Sequence, residues 1–204
     1  IVGKDLYIFG GGDGESPLAD LYRLDTSCMA WKKIQKRGGA GGKSYWPDPR
    51  GYHTADNVDG RLYIFGGSDM SSCFSDLAVY DASAGLWSRI VPHNAVCRYA
   101  HATACVGKSI ICFGGCDGME YCNTVHLFNT ETGVWESPQV SGAPPSGRGY
   151  HAVCYVDGRL YVVGGFSGKE IFSDLHVLDL GVYAYRAVAT RTLIDKRRQS
   201  IPTT

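Results

Sequence analysis

The sequence lacks an excess of charge of either sign and lacks long apolar runs. Lysine plus arginine and aspartate plus glutamate each number 20 in 204 residues, so the formal net charge is zero. A balanced chain has no overall field that attracts nucleic acid or an anionic membrane surface. No stretch reaches the roughly 18 consecutive apolar residues that suggest a transmembrane helix. These absences predict a protein that binds neither nucleic acid nor membrane.

Charged residues are also few, at 20% of the chain, whereas 27 residues are glycine and 13 are tyrosine. The hydrophobic content of 44% is enough for one domain with its own core. Abundant glycine and tyrosine with little charge favour many short strands joined by tight turns. The composition therefore predicts an all-β repeat fold.

Glycosylation triplets of the type Asn-X-Ser/Thr are absent, and the eight cysteines follow no common zinc-ligand spacing. Cys105, Cys112 and Cys154 fall inside predicted strands, where a free cysteine behaves as a small apolar residue. Cys112, Cys116 and Cys122 flank one loop, but Cys-X3-Cys with one further cysteine does not match a zinc site. The cysteines predict free thiols in a reducing intracellular compartment, cytoplasmic or nuclear.

Glycine doublets divide the chain into repeating units. Their first residues are Gly10, Gly66, Gly114 and Gly164, which lie 56, 48 and 50 residues apart. Spacings within the units are constant: three arginines, at positions 50, 98 and 148, each stand 17 positions before the second glycine of a doublet. Chance does not preserve such a register over several units, so the chain is a repeat protein.

The residues of each unit identify the repeat. Arg50-Gly51-Tyr52-His53 precedes the apolar run Leu62–Phe65, which ends at a glycine doublet and is followed by Asp81 and Trp87. This order resembles the kelch repeat, and the resemblance implies a β-propeller with one four-stranded blade per unit. The first unit lacks its Arg-X-X-His strand, and the last has Tyr185 in place of tryptophan.

We therefore predict an all-β, kelch-type β-propeller with four blades of four antiparallel strands. The first blade is expected to be incomplete and the propeller to be open or truncated. The kelch domain is expected to span residues 1–190, and a polar, basic tail to follow at 191–204. The expected blades cover about 1–36, 50–92, 98–140 and 148–190.

Residues that recur once per unit at a constant position predict packing rather than chemistry. The tryptophans are of this kind, at positions Trp31, Trp87 and Trp135, and are expected to lie between blades. Three histidines also recur, as His53, His101 and His151, for which structural hydrogen bonding is favoured over a metal site. Catalysis needs an asymmetric set of groups, so the repetition predicts no catalytic residue, no bound metal and no cofactor.

Candidate binding residues lie on the loops that follow the glycine doublets. Because strands alternate in direction, these loops and the loops that enter each Arg-X-X-His strand emerge on one side of the propeller, here called the doublet face. Asp69 and Asp117 hold equivalent positions there, as turn formers or as part of a polar contact ring. Phe166 follows the fourth doublet, and all three residues are candidate partner contacts.

The longest entering loop, residues 32–49, combines lysines, glycines and the pair Tyr45-Trp46. Exposed tyrosine and tryptophan beside positive charge are typical of interaction hot spots. This composition makes Tyr45 and Trp46 candidate partner contacts. A second interpretation remains open, in which the loop is a solvated linker and Trp46 packs on its own blade.

The resemblance also suggests a role for the three arginines. In kelch substrate receptors of cullin-type ubiquitin ligases, arginines near this position grip acidic peptides. We therefore expect Arg50, Arg98 and Arg148 to open onto the doublet face and to bind an acidic protein or peptide. The predicted function is a protein-interaction module, either a scaffold or a substrate-recognition adaptor. The alternative is a propeller enzyme of the galactose-oxidase-like or mutarotase type.

Overall fold

The computed structural model describes residues 1–36 and 45–181, and the description below is confined to them. This part of the chain forms fourteen short β-strands. Their bounds are β1 (Asp5–Phe9), β2 (Leu21–Asp25), β3 (Ala30–Ile34), β4 (Thr54–Val58), β5 (Arg61–Phe65), β6 (Leu77–Asp81), β7 (Leu86–Ile90), β8 (Ala102–Val106), β9 (Ser109–Phe113), β10 (Val125–Asn129), β11 (Val134–Glu136), β12 (Ala152–Val156), β13 (Arg159–Phe166) and β14 (Ile171–Asp179).

The strands pair in chain order into four antiparallel sheets. Blade 1 consists of β1–β3, blade 2 of β4–β7, blade 3 of β8–β11 and blade 4 of β12–β14. This arrangement confirms the prediction of an all-β, partial kelch-type propeller whose first blade is incomplete. The strand expected around Tyr185 and the tail at 191–204 lie outside the described residues. No helix in the described part of the chain is long and apolar enough to cross a membrane.

Local chemistry explains the hairpins. In blade 2, β4 and β5 are joined by Asp59 and Gly60, whose φ angles are 51° and 78°. Tight β-hairpin turns need positive φ at both central positions, which glycine adopts freely and aspartate tolerates. Residues 62–65 of β5 are all buried, because this second strand of the blade is covered on both faces.

The glycine doublets allow neighbouring blades to approach each other. The amide of Gly115 donates a 2.8 Å hydrogen bond to the carbonyl of Arg148, at the entry to the next blade. A Cβ atom on Gly114 would lie 2.7 Å from that carbonyl oxygen and 2.8 Å from Cε1 of His151. Any side chain there would push the blades apart, which explains the recurrence of the doublet.

The recurring aromatic residues fill the space between blades. Trp87 of blade 2 packs against Phe9 of blade 1, with 5.2 Å between ring centroids, and Trp135 packs against Phe65 at 4.6 Å. The prediction of interblade packing is wrong for Trp31, which is 54% exposed. Trp87 and Trp135 pack on the preceding blade, and the described residues contain no blade before the one that carries Trp31.

The recurring histidines are also structural. His53, His101 and His151 each meet the preceding blade edge-on at the ring of a phenylalanine. Burial lowers the pKa of these imidazoles to about 4, 3 and 4, respectively. They are therefore neutral at physiological pH. The described residues contain no group of three or more His, Cys, Asp or Glu placed to hold a metal ion.

The cysteines depart from the prediction of free thiols at two positions. Cys73 and Cys97 form a disulfide, whereas six other cysteines are free. The two are brought together because the amide of Arg98 donates to the carbonyl of Phe74, so that residues 73 and 97 stand side by side. Cys112 is buried as expected, but Cys154 is exposed.

Candidate functional site

The arginines do not line the doublet face, so the prediction that they open onto it is wrong. Arg50 and Arg148 are 0% and 1% exposed. The Nη1 atom of Arg50 donates to the carbonyl of Gly66 at 3.0 Å and to Oδ1 of Asp76 at 2.8 Å. Its guanidinium also lies 4.1 Å from the ring centroid of Phe74. These contacts fix the arginine inside blade 2, where it is a structural residue.

Blade 4 repeats this arrangement with the same spacing. Arg148 donates from Nη1 to the carbonyl of Gly164 and from Nη2 to Oδ2 of Asp174, at 2.9 and 3.0 Å. Its guanidinium lies 4.1 Å from the ring centroid of Phe172. The pKa of Asp174 is held well below its usual range, chiefly by the hydrogen bond from Arg148.

Blade 3 departs from the pattern because Thr124 occupies the position of the aspartate. Arg98 is 6% exposed. Its Nη2 donates to Oγ1 of Thr124 at 3.1 Å, and its Nη1 donates to the carbonyl of Cys97 at 2.7 Å. Within the described residues, Nε of Arg98 has no hydrogen-bond partner. In the same part of the chain, no carboxylate oxygen lies within 4.0 Å of the nitrogens of its guanidinium, unlike those of Arg50 and Arg148. Arg98 is therefore a buried cation without a direct counter-charge.

Asp69 and Asp117 form the turns at the tips of their loops. Oδ1 of Asp69 accepts from the amides of Ser71 and Ser72, and Oδ1 of Asp117 from those of Met119 and Glu120. Hydrogen bonds from Ser71 and Ser72 lower the pKa of Asp69, and the amide of Glu120 contributes most to the lowered pKa of Asp117. Both carboxylates are thus ionised at neutral pH.

Tyr45 and Trp46 are partly buried between blades 1 and 2. Nε1 of Trp46 donates to the carbonyl of Ala19 at 2.7 Å, and its ring meets Trp87 edge-on at 5.9 Å. Burial raises the pKa of Tyr45 to about 12. This geometry agrees with the interpretation in which Trp46 packs on the propeller. The rest of the glycine-rich loop, residues 37–44, lies outside the described residues.

The doublet face instead carries a group of tyrosines that were not among the predicted partner contacts. Tyr52 and Tyr150 are 56% and 54% exposed, and their ring centroids are 5.7 Å apart with the rings perpendicular. Tyr99 joins them, with its ring 6.4 Å from that of Tyr52. We call these three residues the tyrosine cluster. It draws side chains from blades 2, 3 and 4 to one place.

An unusual backbone presents these rings. Tyr52, Ala100 and Tyr150 hold equivalent positions and have φ angles of 58°, 53° and 56°, in the left-handed region that non-glycine residues rarely adopt. Each such residue costs about 1–3 kcal/mol and persists only where its surroundings enforce it. Here two interblade hydrogen bonds do so, from Ala100 to Tyr52 at 2.9 Å and from Tyr150 to Ala100 at 2.8 Å. Strain of this kind is found preferentially at functional sites.

Two further aromatic side chains extend the cluster towards the rim of blade 4. The ring of Tyr121 lies 6.0 Å from that of Phe166, and it packs so closely on Gly149 that a Cβ there would be 2.7 Å from Cε1 of the tyrosine. Phe166, one of the predicted contacts, therefore belongs to this surface. The aromatic patch is defined as the tyrosine cluster together with Tyr121 and Phe166.

The hydroxyls of Tyr99 and Tyr150 stay protonated at neutral pH. A hydrogen bond with the thiol of Cys116 is the main cause that raises the pKa of Tyr99 to about 12. The pKa of Tyr150 is raised chiefly by burial and then by neighbouring tyrosines. These two residues therefore present neutral rings with polar hydroxyl groups. Such surfaces combine a large apolar contact area with hydrogen bonding.

A weak signal for this patch is present in the sequence. Tyrosine stands directly before the histidine of Arg-X-X-His in the units of blades 2 and 4, and directly after the arginine in the unit of blade 3. Neither position belongs to the apolar alternation of a strand. An aromatic residue there has no core-packing role, which could have marked it as a surface feature.

Comparison with known proteins places this chain among propeller proteins. The model of the Attractin/LZTR1 beta-propeller family matches residues 6–200. Kelch domain-containing protein 10 of Xenopus tropicalis is 29% identical over 199 residues, which are 90% of this chain and 46% of that protein. The Homo sapiens protein of the same name is 28% identical over 197 residues, 90% of this chain and 43% of that protein.

A plant protein shows similar likeness over a smaller part of its own length. Acyl-CoA-binding domain-containing protein 5 of Arabidopsis thaliana is 28% identical over 189 residues, which are 88% of this chain and 29% of that protein. The chain thus spans less than half the length of these relatives.

Proposed function

The chain belongs to the Attractin/LZTR1 β-propeller family, and from this premise we propose that it is a protein-interaction module. The partner is a protein or peptide that binds the doublet face at the aromatic patch. Propeller families of this kind use a rigid scaffold to hold varied surface loops, so the function depends on the surface and not on the fold.

The exposed tyrosine cluster is the observation that carries this proposal. Tyr52 and Tyr150 each leave more than half of their side chain in solvent, on a backbone that is costly to maintain. Tyrosine is enriched in the energetic centres of protein interfaces because it offers a large contact area and loses little conformational entropy on binding. At the tips of adjoining loops, Met70 and Met119 are 76% and 94% exposed and supply adaptable apolar contacts.

The partner contacts expected from the sequence are revised accordingly. Phe166 stays in the proposed interface as part of the aromatic patch, and Asp69 and Asp117 stay at its rim. Tyr45 and Trp46 have their main contacts within the propeller, so they contribute indirectly. The buried arginines are removed from the proposed interface.

Two roles are compatible with such a module, a scaffold and a substrate-recognition adaptor of a ubiquitin ligase. They differ in the fate of the partner, which accumulates unchanged on a scaffold but is degraded through an adaptor. Depletion of the protein should raise the partner's level only in the adaptor case. Measuring that level in cytoplasmic and nuclear fractions also tests the expected compartment. The acyl-CoA-binding domain in the name of one relative is a property of that protein.

The experiment compares three double variants in affinity capture followed by quantitative mass spectrometry. Tyr52→Leu with Tyr150→Leu removes both exposed rings, whereas Tyr52→Phe with Tyr150→Phe keeps them. Arg61→Ala with Lys108→Ala changes the opposite face, where both residues line a polar groove between blades 2 and 3.

We expect the leucine pair to lose proteins that the wild type, the phenylalanine pair and the opposite-face pair all capture. Thermal melts of the same variants control for folding. Capture that is unchanged in the leucine pair but lost in the opposite-face pair would place the interface elsewhere and refute the proposal.

A further inference from the structure

The loops around the aromatic patch have a marked charge bias. The segments that follow the four glycine doublets are residues 12–17, 68–73, 116–121 and 166–171. Together they contain six acidic residues and one basic residue, although the whole chain is neutral. The acidic residues are Asp13, Glu15, Asp69, Asp117, Glu120 and Glu170, and the basic residue is Lys169.

Two of these acids border the tyrosine cluster through backbone pairing. Ser68 pairs with Gly51, and Cys116 pairs with Tyr99, so Asp69 and Asp117 each follow a residue that is joined to the segment carrying a tyrosine of the cluster. The turns engage only one oxygen of each carboxylate, Oδ1. Among the described residues, the second oxygen, Oδ2, has no hydrogen-bond partner and is left for a ligand.

The three recurring arginines of this region are not available to a partner. Arg50 and Arg148 are buried against Asp76 and Asp174. Arg98 is buried in blade 3. The described part of the long entering loop has the exposed Asp48 and three lysines, of which Lys33 pairs with Asp20 and Lys36 lies 5.6 Å from the ring of Trp46. Among the described residues, the loops that follow the doublets therefore place aromatic rings and mainly acidic side chains around the cluster.

An aromatic surface with carboxylates at its edge is complementary to a cationic side chain. The face of a tyrosine ring attracts an ammonium or guanidinium group through its quadrupole, and a neighbouring carboxylate adds a charge-assisted hydrogen bond. An acidic partner would meet repulsion from the same carboxylates.

Building on the function proposed above, we propose that the doublet face selects a basic protein segment. An arginine or lysine side chain of the partner lies against the rings of Tyr52 and Tyr150, and the carboxylates of Asp69 and Asp117 hold the flanking positive charge. This replaces the acidic partner expected from the sequence.

Selection of displayed random peptides on the immobilised protein tests the proposal. The selected peptides are synthesised, and their Kd values are measured at low and at high salt. We expect enrichment of arginine and lysine over the unselected library, and weaker binding at high salt because exposed charges are screened. Replacing one bound basic residue by glutamine should weaken binding by roughly 2- to 30-fold, the range that cation–π contacts cover.

Matched variants connect this preference to the named residues. Asp69→Asn with Asp117→Asn keeps the Oδ1 acceptors of both turns while removing two negative charges. Asp59→Asn with Asp157→Asn removes the same charge from hairpin turns on the opposite face, at positions where asparagine accepts the positive φ angle. In the Asp69→Asn/Asp117→Asn variant, peptide binding should lose most of its dependence on salt concentration. In the Asp59→Asn/Asp157→Asn variant, that dependence should be retained.

The outcomes distinguish the proposal of a basic partner segment from the broader proposal of a protein interface at the aromatic patch. Selected peptides that are acidic or uncharged, yet lose binding in the Tyr52→Leu/Tyr150→Leu variant, would overturn the basic partner and leave the aromatic interface standing. Peptides that bind this leucine variant as well as the wild type would overturn both proposals. A selection that yields no binding peptide would also count against the basic segment, because this probe contains every such sequence class.

Discussion

Arg50 and Asp76 form a buried ion pair, joined by a 2.8 Å hydrogen bond from Nη1 to Oδ1, and neither side chain is more than 3% exposed. The aspartate stands 26 positions after the arginine. The same spacing recurs between Arg148 and Asp174, and at the third such position stands Thr124. Two blades thus contain a built-in counter-charge for their arginine, and blade 3 does not.

This difference predicts that Thr124→Asp stabilises the protein. The new carboxylate would reach the guanidinium of Arg98 and supply charge-assisted hydrogen bonds, worth about 1.5–3 kcal/mol in the free energy of unfolding. Urea denaturation at neutral pH measures the change. Thr132→Asp is the control, because it adds the same charge at an exposed turn of the same blade. Equal effects of the two substitutions would contradict the prediction.

Trp87 and Trp31 form a matched pair for testing interblade packing. Trp87 is 8% exposed and contacts Phe9, so Trp87→Ala should lower the free energy of unfolding by about 3–5 kcal/mol through the cavity it leaves. Trp31 is mostly exposed, so Trp31→Ala should cost less than about 1 kcal/mol. Urea unfolding of the two variants and the wild type measures both losses in the free energy of unfolding, and thermal unfolding gives an independent comparison. Similar losses would show that Trp31 is buried in the folded protein.

The buried histidines predict loss of stability in mild acid. The pKa of His101 falls from 6.5 to about 3 on folding, mainly through burial. The folded state disfavours protonation of His101. Its contribution to the free energy of unfolding is therefore fully present above the unfolded pKa of 6.5, and it is lost as the pH falls from 6.5 towards 3. At about pH 5 the loss for this one group is about 2 kcal/mol relative to about pH 7.

The measurement compares wild type with His101→Gln. Unfolding free energies at the two pH values should differ less in the variant, by about 2 kcal/mol. The exposed His93 supplies the control variant His93→Gln, which removes an imidazole from the surface instead of the core. Comparing variants also removes the opposing contribution of Asp56, whose pKa burial raises. An unaltered pH dependence in His101→Gln would refute the assignment.

The sequence predicts the fold well because propeller packing repeats. Each blade places a glycine doublet against the entry of the next blade and an aromatic residue between the two sheets, so the same residue types recur at fixed spacing. The prediction of burial was wrong for Trp31. Burial of a tryptophan at this position requires a preceding blade to pack against, and the repeat pattern assumes such a blade for every unit.

The site was less predictable for two physical reasons. Whether Arg50 faces solvent depends on Asp76, and the 26-residue spacing that reveals the pair is visible only when both residues are followed together through the units. The tyrosine cluster depends on the left-handed backbone at Tyr52 and Tyr150, which no hydrophobic pattern encodes. Both features arise between strands that are distant in sequence.

The interblade hydrogen bonds at Ala100 have a geometrical consequence. The amide of Ala100 donates to the carbonyl of Tyr52, and its carbonyl accepts from the amide of Tyr150, so two hydrogen bonds link the backbones of three successive blades. The distance between the rings of Tyr52 and Tyr150 therefore depends on how the blades that carry them are placed relative to each other. A ligand that forces the rings of Tyr52 and Tyr150 apart would therefore act against these two interblade hydrogen bonds.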